Sequence, residues 1–140
     1  MIAHPQSFCK AIGENACYAL CIIDIAEKIT KKKFEIISTL ENAINRGYID
    51  FDFNDYNDDD NFFVRKPDAF LSWLVGRKFS VTYEEPTYSI KKGDYAVEFW
   101  SINGKAGHFA RTKDGFNSLD YSVNVSKGKI YSYRVFREVK

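Results

Sequence analysis

A chain of 140 residues is long enough for one compact domain with a real core and short for two. Its 45% hydrophobic and 16% aromatic content, set against 28% charge, belongs to a folded protein and argues against a disordered one. A formal net charge of +1 supplies no general field for nucleic acid or an anionic membrane, although Lys31, Lys32 and Lys33 make a local basic run. We therefore expect a single domain over residues 1–140, with neither nucleic acid nor membrane as partner; the oligomeric state is left open.

The N-terminal "MIAHPQSFCK" has no basic start, continuous apolar stretch or small-residue cleavage site, so the expected compartment is the cytoplasm, with export by another route left open. Cys9, Cys17 and Cys21 are odd in number and confined to the first 21 residues, which rules out a closed disulfide framework and leaves at least one thiol free. From Glu14 to Ile29, Cys17, Leu20, Cys21, Ile25 and Ile29 recur at spacings of three and four, and Ile22 and Ile23 widen the face. This predicts a helix deep in the domain. Its longest apolar run, Ala19 to Ala26, contains Asp24 and falls far short of the ~20 residues that cross a bilayer. Gly13 and Asn15 offer turn and capping chemistry, and a start near Asn15 puts Cys17 in the first turn.

Phe34, Ile37, Leu40, Ala43 and Ile44 predict a second helix, stopped by Arg46 and Gly47. Residues 48–63, "YIDFDFNDYNDDDNFF", read as an acidic, aromatic loop. Asp50, Asp52 and Asn54 begin like a calcium loop, but Asp55 replaces its glycine and Asn61 its bidentate glutamate, so a solvated loop able to recognise a basic substrate is the better reading. "KPDAFLSWLVG" predicts a short third helix between Pro67 and Gly76. Beyond Lys78 the texture turns β-branched and aromatic. "KFSVTYEE", "DYAVEFWSI", "HFARTKD", "FNSLDYSV" and "KIYSYRVFREV" predict five strands, and "INGKAG" and "KDGF" supply hairpin turns for an antiparallel meander. Helices followed by strands give an α+β domain, N-terminal helices packed on a C-terminal antiparallel sheet.

That order brings an early helix carrying a cysteine against a late sheet carrying His108. A free thiol, with a pKa of about 8.5, is only fractionally ionised at neutral pH, and a helix N-terminus and an imidazolium both stabilise its anion. Cys17 has the first, and His108 in "KAGHFARTKDG" is placed to supply the second. If "KDGF" turns near Asp114 and Gly115, positions near 108 and 120 lie on adjoining strands, which makes Asp120 the candidate to orient His108, with Asn117 and Asn124 as substitutes. Each residue also has a plainer reading: Cys17 and Cys21 as core thiols, His108 as a strand histidine, Cys9 and His4 as incidental. A zinc site drawn from Cys9, Cys17, Cys21, His4 and His108 lacks any C-x-x-C pair, and no metal or organic cofactor is implied. Trp73 and Trp100 read as core rather than as a platform for stacked bases.

The arrangement resembles the papain-like fold in its compact bacterial and phage forms. "ENACYALC" is similar to the nucleophile helix of the bacteriocin-processing type of cysteine peptidase, and "GHFARTKDGFNSLDYS" to its histidine strand and following acid strand. "GYID...VRKPDAFLSWLVG" resembles the connecting region of that group, and "KKGDYAVEFW" ahead of "GHFA" resembles the NlpC and CHAP types of cell-wall amidase. The resemblance spans roughly residues 9–122, with its specific content in two short motifs. It implies Cys17 as nucleophile, His108 as general base and acid, and Asp120 as orienting acid, acting on a peptide, protein or cell-wall peptide through an acyl-enzyme. One departure concerns the oxyanion. Papain-like enzymes usually place a glutamine a few residues before the nucleophile, and Ala11 stands there, which leaves Gln6 or Asn15 to act with the Cys17 backbone N–H. The rival expectations are a catalytically silent relative that binds a peptide or protein partner, and a deamidase or transferase using the same thioacyl chemistry.

Overall fold

The structure is a computed structural model and describes residues 16–51, 62–102, 105–115 and 128–140. Among these, α1 (Cys17–Thr30) and α2 (Ile36–Asn45) come first, followed by a short antiparallel pair, β1 (Ile49–Phe51) and β2 (Phe62–Val64), and then α3 (Pro67–Val75). β3 (Phe79–Glu84), β4 (Tyr95–Ile102), β5 (Lys105–Ala110) and β6 (Gly128–Glu138) build one antiparallel sheet, and a 3-10 turn, Thr112–Asp114, follows β5. The fold class is α+β. No helix among the described residues is long and apolar enough to cross a membrane.

α1 is buried without a break from Cys21 to Ala26, as its wide apolar face requires, with α3 against it on one side and β4 and β5 on another. Its N-cap is Ala16 rather than Asn15, with no side-chain cap, so Cys17 is the first helical residue. α2 begins two residues beyond Phe34 because the Glu35 carboxylate accepts from the N–H groups of Ile37 (3.2 Å) and Ser38 (2.6 Å). α3 starts on Pro67 and ends at Gly76, as its sequence marks predict.

Three expectations are corrected. The flanks of the acidic segment are strands: Ile49, Phe62 and Val64 turn inward while Asp50 and Phe63 turn outward, and Asp50 pairs with Arg65 at 3.4 Å in the open. Residues 52–61, on which the calcium-loop comparison turns, lie outside the described residues. The large sheet is not a meander, since its order is β3-β6-β4-β5. β6 lies between β3 and β4 because it is apolar on both faces: Phe136 joins the main core with the helices, whereas Tyr133 and Val135 form a second cluster with Ala96 on the other face. β5 starts at Lys105, inside the expected turn, and stops at Ala110, before Arg111 turns into the protein. The expected strand "FNSLDYSV" lies outside the described residues.

Candidate active site

Cys17, at the N-terminal tip of α1, meets the strand that carries His108. The Phe109 backbone N–H donates to the Cys17 sulfur over 3.4 Å, across 92 positions of sequence. Bond geometry puts the Phe109 nitrogen about 2.4 Å from the His108 Cα, so the sulfur lies within about 6 Å of that Cα. β5 is the last strand in the described order, and the sulfur takes an N–H from its outer edge. The Phe109 ring turns to the helices and stacks on Tyr18 at 4.3 Å, so alternation turns half-buried His108 to the opposite face, directly across from Trp100. The register shifts beside Trp100 on both of its neighbours, which re-aims side chains at this point of the sheet. Gly107 fits this irregularity as no other residue does, because a Cβ there would overlap the Trp100 carbonyl.

Opposing influences act on the thiol. Burial pushes Cys17 up, while the N–H groups of Phe109, Tyr18 and Cys17 itself pull it down, and burial prevails. Burial thus opposes the helix start at this sulfur and favours the neutral thiol. Burial likewise pushes the neighbouring Tyr18 phenol up, against the nearby Arg134 charge.

A buried polar network that sequence reasoning missed holds these elements together. Arg111 Nη1 donates to Asp24 Oδ2 at 2.6 Å, its Nε donates to the Ala96 carbonyl at 3.1 Å, and its Nη2 pairs with Asp114. Asp24 lies two turns beyond Cys17, so the helix is fastened to the β5 end of the sheet at two points on one face. Glu98, 1% exposed, takes N–H groups from Trp100 (3.0 Å), Thr112 (3.1 Å) and Lys113 (3.3 Å) and the Thr112 hydroxyl (2.6 Å), which fixes the turn just after the histidine strand. The available signal was an aspartate in the middle of an apolar helix, which needs a partner once buried.

Cys21 is fully buried in the main core, as its plainer reading holds, and neither it nor Cys17 is in a disulfide. Asp120, Asn117, Asn124, Asn15, Gln6, Cys9 and His4 lie outside the described residues. No group of three His, Cys, Asp or Glu side chains suited to a metal occurs among the described residues. A pocket of about 470 Å³ opens against Tyr18 and Phe109, the chain neighbour of Cys17 and the donor to its sulfur, and is walled further by Val81, Tyr83, Phe62 and Arg134 and by the β2–α3 segment; Cys17 itself does not line it.

Residues 3–138 match the family described as "Protein of unknown function, DUF261". No curated protein and no solved structure matches the chain.

Proposed function

We propose that this chain, which belongs to the DUF261 family, is a single papain-like thiol hydrolase domain that cleaves a peptide or peptidoglycan-type amide through an acyl-enzyme. The observation that carries the reading is the hydrogen bond from the Phe109 N–H to the Cys17 sulfur, which sets the first residue of a buried helix against the backbone beside His108. A cysteine at a helix start, a histidine on the contacting strand and a neighbouring pocket are the parts a thiol hydrolase needs.

In this reading the His108 ring, which alternation turns to the face away from the helices, has to swing round the outer edge of β5 to reach the sulfur. It removes the thiol proton as the sulfur attacks the carbonyl carbon. It then returns that proton to the departing amine as the C–N bond breaks. Water, deprotonated by His108, splits the thioester and restores the thiol. Asp120 orients the imidazole, and the Cys17 N–H holds the oxyanion with help from Asn15 or Gln6. A neutral resting thiol suits this order of events, since His108 acts as base during attack.

The test is modification by an electrophilic thiol probe on a Cys9→Ser background near neutral pH. Fast labelling of Cys17 that slows about tenfold or more in His108→Ala supports the pair. Turnover of peptides or cell-wall fragments, lost in Cys17→Ala, then separates peptidase from amidase. Burial of the thiol favours one second reading, a silent relative that binds a peptide partner through the same pocket. Equal labelling with and without His108 supports that reading instead.

A further inference from the structure

The pocket against Tyr18 and Phe109 combines aromatic walls with one unusual cation. The Arg134 guanidinium lies 4.5 Å from the Tyr83 ring, 5.5 Å from Phe109 and 5.6 Å from Phe99, and Nη1 donates to Ser132 Oγ at 2.9 Å. Arg65, Arg77, Arg111 and Arg137 each hold a carboxylate. Arg134 holds none among the described residues, although it is half-buried and points into a cavity. A partly dehydrated guanidinium fixed by three rings is preorganised for a planar, two-oxygen anion. Around it, Tyr18, Phe109, Val81 and Phe62 offer apolar surface that a small polar ion would leave unfilled.

We propose that this pocket binds the C-terminal residue of a peptide, with an aromatic or large aliphatic side chain against the Tyr18, Phe109 and Phe62 walls and the free carboxylate on Arg134. The two requirements meet on one residue only at a chain end. An internal aspartate or glutamate brings the anion without the apolar body, and an internal phenylalanine or leucine brings the body without the anion. Tyr18 follows Cys17 in the chain and Phe109 donates to its sulfur, so the pocket shares two walls with the surroundings of the thiol. The assignment of that peptide as substrate rests on the hydrolase reading; its binding does not.

The test is titration of the whole 140-residue chain carrying Cys17→Ala, followed by NMR, with N-acetyl-phenylalanine, its amide, and N-acetyl-aspartate α-amide. The expected result is that the free acid binds about tenfold more tightly than either amide, about 1.4 kcal/mol. It shifts signals of Tyr18, Tyr83 and Phe109, and Arg134→Gln abolishes the preference while retaining the native spectrum. Equal affinity for acid and amide, stronger binding of the aspartate derivative, or no binding of any of them overturns the proposal; this comparison needs no Arg134 variant. Labelling of Cys17 is read separately. His108-independent labelling together with an intact carboxylate preference removes the hydrolase reading and supports the pocket, whereas His108-dependent labelling without that preference removes the pocket.

Discussion

Arg111 and Asp24 form a nearly dry ion pair, 2.6 Å long with side chains 3% and 10% exposed, that fastens the cysteine helix to the residue following the histidine strand. Removing one partner strands the other. Lys28, at 3.4 Å and half-exposed, is a poor substitute for Arg111 beside the Asp24 carboxylate. Arg111→Met is therefore expected to cost on the order of 3 kcal/mol in urea denaturation. Adding Asp24→Leu removes the orphaned charge and recovers most of that loss, since an apolar pair of similar volume often replaces a buried salt bridge without penalty. A double variant no better than the single one would show that the ion pair does not set this cost.

This pair also marks where sequence reading stops. α1 and α3 were legible because their signals are local: cysteine and isoleucine at spacings of three and four, and Pro67 and Gly76 at the ends. Asp24 and Arg111 each look like an isolated charge until the topology joins positions 87 apart. β6 was recognisable as a strand, but its place between β3 and β4 follows from burial on both faces, which the meander assignment overlooked. The order of elements and the family resemblance pair Cys17 with His108; the structure sets Cys17 against the backbone of that strand, with the His108 ring on the face away from the helices. The third member, Asp120, rests on the hairpin argument and the resemblance alone.

Gly107 sets how closely β5 approaches β4 beside His108. Its backbone is not in the left-handed region, so the constraint is the overlap of any Cβ with the Trp100 carbonyl and close contact with the Phe99 ring. A backbone carbonyl in a strand yields only if β4 and β5 separate or slip. Gly107→Ala is expected to destabilise by about 1–3 kcal/mol and to weaken amide protection at Phe109 and Ala110 in hydrogen exchange, while α2 keeps its protection. Unchanged exchange along β5 would contradict the tight approach.

Cys21 and Cys17 sit one helical turn apart in different surroundings. Cys21 is fully buried among Ile22, Ile25 and the rest of the core, and Cys17 is half-buried at the helix tip. On a Cys9→Ser background, native-state alkylation should modify Cys17 first and reach Cys21 only through global unfolding, with a rate that follows the urea dependence of stability. Cys21→Ala is expected to cost about 1–2 kcal/mol. Comparable labelling of the two thiols in the folded protein would show that the helix start is more open than its packing indicates.

Burial of Cys17 predicts a pH dependence with a definite sign. Because the folded protein holds the thiol above its ordinary range, the folded chain keeps a proton that the unfolded chain loses as pH passes the ordinary thiol value. Stability from this group is complete below that value and is lost as pH climbs toward the folded one, with a slope of at most about 1.4 kcal/mol per pH unit. Tyr18 is shifted the same way, but from a higher starting value, so it acts at more alkaline pH. The contribution of Cys17 is isolated by urea denaturation of the unaltered protein and of Cys17→Ala across alkaline pH. The stability of the former relative to the latter should decline as pH rises, and in His108→Ala, where no imidazole assists, the alkylation rate of Cys17 should reach half its maximum at a higher pH than that of a small free thiol. If the relative stability instead increases with pH, the three N–H groups at the sulfur outweigh its burial, and the resting state is a thiolate rather than the neutral thiol.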